Sequence, residues 1–397
     1  VLDKIKNFFA LEKSIVVLSV IGTFWMFGFA MWFPFMPKYF EAVSGNIVLA
    51  GIVISIYYAF LSAAHAFSGF LSDIYGRKKV VMLSLLIGIP GLLFYFLAGD
   101  FWLLLIPGAL LWAFSASYRR TLDATMITES VHKKKMATAR SVVDIPISIC
   151  YLVASVGGGF LIQQMGLLDG FRMSLLFAGL ASGAAALFAY FTLKETLHKR
   201  HRRAKLVISP SVFVNFLAKL PKQVKYLIVA NGVSLFAWTM MLNYMVFYAI
   251  DVIKVTPLEW SIVVGMHIAF FGFFAFVGAK ISDRYGRKPT IMVIFLSASI
   301  LPIIFILSNS FAQLMVTSVV WGTLGFGLSS LEAFTADHTK RSSRGRSVGI
   351  SNSIFIMCAI PAPAIGGILF AISPQLPFIA SSAVGILSLV LGWKLLK

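Results

Sequence analysis

Between Lys13 and Lys38 the chain carries no charged residue, and the same holds from Lys79 to Asp100, Arg172 to Lys194, Lys288 to Glu332 and Arg346 to Lys394. Uncharged apolar runs of this length cross a bilayer as helices, because about 20 residues at 1.5 Å each span its hydrocarbon. Of 397 residues 59% are hydrophobic and 12% charged, whereas an ordinary soluble domain is about a quarter charged. A chain that must satisfy its backbone without water does so as helices. The runs predict an all-α membrane protein with twelve transmembrane helices, near 14–35, 48–71, 80–98, 101–128, 138–162, 171–193, 224–249, 258–279, 290–308, 311–336, 347–372 and 377–396. They form an N-terminal six-helix bundle (1–193), a cytoplasmic basic linker (194–222) and a C-terminal six-helix bundle (223–397). The first run exceeds the apolar region of a signal peptide, so VLDKIKNFFALEKS is expected to precede a retained helix.

The formal charge of +19 would suit a nucleic-acid binder, but its distribution does not. With the N-terminus inside, only Lys38, Arg172 and Lys254 fall on the external side, and Arg119 and Arg120 within a span; the other cations are cytoplasmic. This is the positive-inside pattern, and it predicts a multi-pass plasma or inner membrane protein with both termini cytoplasmic. The stretch LKETLHKRHRRAK would rest on anionic lipid headgroups. Cys150 and Cys358 lie inside apolar spans and are expected to be packing residues. No HExxH, phosphate loop, dinucleotide fingerprint or Ser/His/Asp cluster is present, so neither an enzyme, a metal nor a cofactor is expected.

SDIYGRK at 72–78 returns as SDRYGRK at 282–288, with one difference. At nearly the same offset Leu111-Trp112 falls on Val320-Trp321, Leu122-Asp123-Ala124 on Leu331-Glu332-Ala333, and Gly158-Gly159 on Gly366-Gly367. Two parallel six-helix repeats are an architecture of secondary transporters, whose site lies between the halves. Within each heptad, Gly76 and Gly286 permit a tight turn between antiparallel helices. Arg77 and Lys78 suit a cytoplasmic face. Asp73 runs against that trend and needs an Arg or a helix N-terminus.

At these residues, in G69-F-L-S-D-I-Y-G-R-K-K79 and G278-A-K-I-S-D-R-Y-G-R-K-P289, the chain resembles the major facilitator superfamily. In size and layout it is most similar to that family's twelve-helix drug:proton antiporters. The resemblance covers the whole chain and implies alternating access between two pseudo-symmetric bundles. It also implies a conformational latch of Asp73, Arg77 and Glu129, echoed by Asp283, Arg287 and Asp337. The alternative is a topogenic turn with ordinary surface ion pairs, each contributing about 0–1 kcal/mol. Departures weaken the antiporter assignment: Ile74 replaces the usual cation, and Ser155 stands where the fifth-helix motif has proline. The early fourth helix, LLIPGALLWAF, also lacks the exporters' Arg, and only PAIGG at 363–367 keeps a proline before paired glycines.

Ionisable groups inside a membrane cost about 2.5 kcal/mol or more at a helix centre, so each is a functional candidate. Arg119 and Asp123 share a face of the fourth helix, and Arg140 and Asp144 share one on the fifth, just before Pro146; the tenth supplies Glu332. Asp144, Glu332 and Asp123 are the proton-coupling candidates, and Arg119 or Arg120 would hold an anionic group. The same cluster could be an inner gate, or its arginines could snorkel to headgroups. Further cavity candidates are Trp25, Trp238, Asn243, Tyr118 and Asn352, while His65 and His267 are expected to pack. These residues predict a monomeric secondary transporter of a small solute, with proton-coupled efflux of amphipathic, drug-like compounds as the first expectation. Proton-coupled uptake of a small organic anion and a transporter-like sensor are the alternatives.

Overall fold

The uncharged runs become helices joined by turns whose chemistry is local. The structure is a computed structural model that describes residues 13–99, 101–130, 136–196, 220–339 and 344–396. The side chains of 13, 66–70, 73, 118–125, 128, 129, 136–138, 140, 141, 329 and 344–350 lie outside that description. In chain order the helices are α1 (Ser14–Ser44), α2 (Ile47–Tyr75), α3 (Arg77–Leu97), α4 (Leu105–Ser130), α5 (Met136–Met165) and α6 (Leu167–Thr192). After the basic stretch follow α7 (Lys222–Val252), α8 (Pro257–Tyr285), α9 (Arg287–Ile306), α10 (Phe311–Asp337), α11 (Arg344–Ala359 continuing as Ala362–Ile372) and α12 (Leu376–Leu395). Among the described residues eleven helices are long and apolar enough to cross a membrane, and α4 carries a shorter apolar stretch, Trp102–Ser117.

The repeated heptad makes the same turn twice. Gly76 (φ 94°, ψ 154°) and Gly286 (φ 93°, ψ 170°) are each the single residue between two helices, in a region that a side chain disfavours. These turns mark one end of the bundle, here the motif end; the opposite end is the far end. There Gly45 (φ 67°) closes α1, and Asn46 caps α2 by accepting from the Val48 (2.7 Å) and Leu49 (3.3 Å) amides, which satisfies donors a helix start leaves orphaned.

Among the described residues four helices are interrupted, α1 by 3₁₀-helix at Phe33–Phe35. In α7, helix stops at Leu242 and a π-turn follows at Tyr248–Val252. In α10, Thr323–Gly327 is wound as 3₁₀-helix; Gly322 and Gly325 press against the backbone of α8, and Gly327 against α9. In α11 the helix is broken at Ile360–Pro361, where proline has no N–H to donate. Small residues and proline let neighbouring backbones and side chains restore what the break removes.

Apolar side chains on α3, α6, α9 and α12, among them Leu86, Leu93, Leu180, Phe191, Leu296, Ile300, Ile386 and Val390, face outward and exposed. Inside, the packing is unequal along the membrane normal. At the far end one apolar core takes in both halves: Trp32, Phe35 and Tyr39 of α1, Trp112 of α4, Phe247 and Tyr248 of α7, Trp260 of α8 and Trp321 of α10. Toward the motif end it divides. Leu18, Val81, Leu85 and Ile127 form a core in the first half, and Leu227, Ile291, Phe295 and Phe334 another in the second. The halves are packed together at the far end and keep separate cores at the other.

Candidate functional site

The two motif turns are held by different partners. In the first, Arg77 is buried and its guanidinium donates to the Ser72 carbonyl (2.8 Å). Glu195, beyond the end of α6, takes the Arg77 amide on one carboxylate oxygen (2.9 Å) and the Lys78 amide on the other (3.2 Å). An acid on a helix N-terminus meets both the orphan amides and the positive dipole end. In the second turn Gly286 has open space around it and no side-chain cap. There Arg287 bridges Asp283 (2.6 Å) on its own helix junction and Asp337 at the end of α10 (3.2 Å), and also reaches the Ser282 hydroxyl (3.1 Å). Asp73 and Glu129 have side chains outside the described residues.

The lysine after each motif arginine repeats one contact. Lys78 donates to the Tyr190 carbonyl at the end of α6 (2.7 Å), and Lys288 to the Trp393 (3.1 Å) and Leu396 (2.6 Å) carbonyls at the end of α12. Each places a cation on a helix C-terminus, where the unpaired carbonyls and the dipole favour it.

Of the residues proposed for coupling and substrate, Tyr118, Arg119, Arg120, Asp123 and Arg140 also have side chains outside the described residues. Asp144 is half-buried on α5, and its carbonyl accepts from Ser148 (2.9 Å). Glu332 is exposed on α10 beyond the 3₁₀ stretch, and Asn352 is exposed on α11. Asn243 is buried where α7 breaks; it donates to the Thr239 carbonyl (2.8 Å) and lies beside the Tyr58 hydroxyl of α2. Trp25 sits in a ring stack, 5.8 Å from Trp112 and 5.2 Å from Phe29, with interplanar angles of 3° and 8°. The second half repeats the pair with a different tilt: Trp238 and Trp321 are 5.8 Å apart at 58°. Offset stacking at such separations adds about 0.5–1.5 kcal/mol beyond burial. His267 packs face to face on Trp321 (4.0 Å).

What joins the halves is legible in paired glycines. A Cβ on Gly158 would fall on the Met31 backbone within the first half, and one on Gly159 on Ser261 and Pro257 of α8 across the divide. On α11 the pattern returns: Gly366 lies against Met240 and Tyr244 of α7, and Gly367 against Ile47 and Val48 of α2 as well as Tyr244. Hydrogen bonds reinforce both seams. Ser155 donates to the Ser261 carbonyl (3.4 Å), Ser62 to the Ser353 carbonyl (3.3 Å), and the Ala364 amide to Ser55 (3.1 Å). Tyr244 donates to the Pro363 carbonyl (2.5 Å), fixing the broken α7 to the broken α11. Glu195 and Tyr244 were not foreseen from the sequence. The signal for Glu195 was a lone acid within a basic run; Tyr244 offered none.

Comparison with known proteins gives the same frame. The profile of the Major Facilitator Superfamily matches residues 18–265 and 227–397. Multidrug resistance protein 2 of Bacillus subtilis is 24% identical over 96% of this chain and 96% of its own. The class C tetracycline resistance protein of Escherichia coli is 30% identical over 34% of this chain and 35% of its own. Among solved structures, a D-xylose-proton symporter superposes with a TM-score of 0.74 at 13% identity, covering 97% of this chain and 98% of that one.

Proposed function

Because the chain belongs to the Major Facilitator Superfamily, we propose that this secondary transporter exports amphipathic, drug-like compounds in exchange for protons. The similarity to a multidrug resistance protein along nearly the full length of both chains carries the reading. In this proposal Asp144, Glu332 and Asp123 supply the carboxylates that load and release the proton. Desolvation favours the protonated form and a nearby arginine the ionised one, so a change of arginine partner between states moves the proton. Arg119 and Arg120 engage either a carboxylate or an anionic part of the solute, with Trp25, Trp238, Tyr118, Asn243 and Asn352 about the cavity. Asp73, Arg77 and Glu129, with Asp283, Arg287 and Asp337, brace one state of the cycle.

The monomer is divided at 194–222, its motif end and both termini are cytoplasmic, and its basic linker lies on anionic headgroups. The Arg119–Arg120 pair favours a second reading, uptake of a small organic anion with protons. Purified protein in proteoliposomes holding a pH-sensitive dye separates the two. Export predicts that a tetracycline or quinolone gradient drives protons in the opposite direction; uptake predicts co-movement with an organic anion. Asp144→Asn and Glu332→Gln should reduce coupled proton movement at least about tenfold, on the order of 1.4 kcal/mol in the coupled step. Unaltered pH dependence in both variants would remove these carboxylates from the mechanism.

A further inference from the structure

At the far end an ion pair joins the halves. The Lys38 ammonium on α1 lies 2.7 Å from both carboxylate oxygens of Asp251 on α7. Its side chain is largely covered, at 16% exposure, and the ammonium also stands over the Phe247 ring, 5.2 Å from its centroid. Around it the Trp260 indole donates to the Pro34 carbonyl (3.3 Å) and the Leu258 amide to Gln163 (3.3 Å), both across the divide. The pair therefore closes a seam that any opening of the far end must break.

Asp251 does not sit on ordinary helix. It lies in the π-turn Tyr248–Val252, where the Ile253 amide reaches back to the Tyr248 carbonyl (3.0 Å). Two residues past that turn Lys254 has φ 66°, the only positive φ outside glycine among the described residues. A left-handed lysine is disfavoured by its Cβ, and a single π-turn carries one residue more than the α-helix around it. Rewinding the turn to α-helix, whose residues follow one another at about 100°, would rotate Asp251 around the α7 axis, off the Lys38 ammonium.

We infer that Lys38–Asp251 is the bolt of the far end, and that rewinding of the α7 π-turn to α-helix releases it. The closed state holds two unfavourable backbone features in place through the ion pair; opening exchanges the pair for a regular helix end. Both residues lie away from the candidate proton and substrate positions, so the device acts on the access step whatever the solute.

The test uses spin labels at Ala42 and Asn309, one on each half at the far end, in the full-length protein with Cys150 and Cys358 changed to alanine. Distance distributions are read without substrate, so the outcome is independent of the export reading. Lys38→Ala and Asp251→Asn should each raise the open-to-closed ratio about three- to tenfold, as expected for a half-covered, doubly hydrogen-bonded pair. The double variant should go no further than either single. Exchanging the charges, Lys38→Asp with Asp251→Lys, should restore most of the closed population. Lys254→Gly, which relieves the left-handed backbone, should shift the distribution toward closed. Single variants that overlay wild type, or a double that adds, would overturn the bolt. A Lys254→Gly distribution that opens or does not move would overturn the role of the π-turn.

Discussion

Gly76 and Glu195 illustrate how much a single position carries. The glycine adopts a backbone conformation costly for other residues, and a Cβ there would also meet the Glu195 carboxylate. Gly76→Ala should therefore destabilise more than Gly286→Ala, whose surroundings are open. Thermal unfolding in detergent, followed by intrinsic fluorescence, gives the comparison directly. Glu195→Gln keeps the shape but removes the charge facing two amides of a helix that starts Arg-Lys-Lys. A cap of this kind contributes about 0.5–2 kcal/mol, and the loss should appear as a lower unfolding temperature. In the second heptad Asp283 and Arg287 were legible as partners, because charge against the positive-inside trend is conspicuous. Glu195 was hidden inside the basic run, because proximity across a fold leaves no trace in local pattern.

At the scale of elements, helix number and order followed from hydropathy, since the bilayer makes length and charge decisive. Interruptions did not. A break in α7, α10 or α11 depends on which neighbour arrives to satisfy the freed backbone, as Tyr244 does for Pro363. The paired glycines were visible as a repeat, but their division of labour is a packing fact. One glycine of each pair faces its own half and the other faces across. Gly158→Ala, set against the Met31 backbone, should cost about 1–3 kcal/mol of stability by overpacking. Gly159→Ala meets α8 of the opposite half instead. It should leave unfolding temperature less affected and populate the far-end-open distances between labels at Ala42 and Asn309.

For the whole molecule the unequal cores matter most. Both halves share apolar surface at the far end and keep it apart at the motif end, so transport must exchange one contact surface for another of comparable free energy. The assembly of this surface was not legible, because sequence shows which residues are apolar but not which half they meet. The proposed orientation rests on charge alone. A cysteine at Ala42 should react with a membrane-impermeant maleimide added to intact cells, and one at Tyr285 only after the membrane is opened. The reverse order of labelling would invert the proposed topology.

The Gly76 and Gly286 turns have a mechanical consequence. A connection of one residue has no slack, so α2 cannot tilt without carrying α3, nor α8 without α9. α2 and α8 bear the seams with α11 and α5, while α3 and α9 present apolar faces outward. Each hairpin is therefore a lever without backlash, one arm in the joint between the halves and the other in the lipid. Any rocking at the joint displaces lipid in proportion, and the thickness and stiffness of the surrounding bilayer become part of the load against which this transporter works.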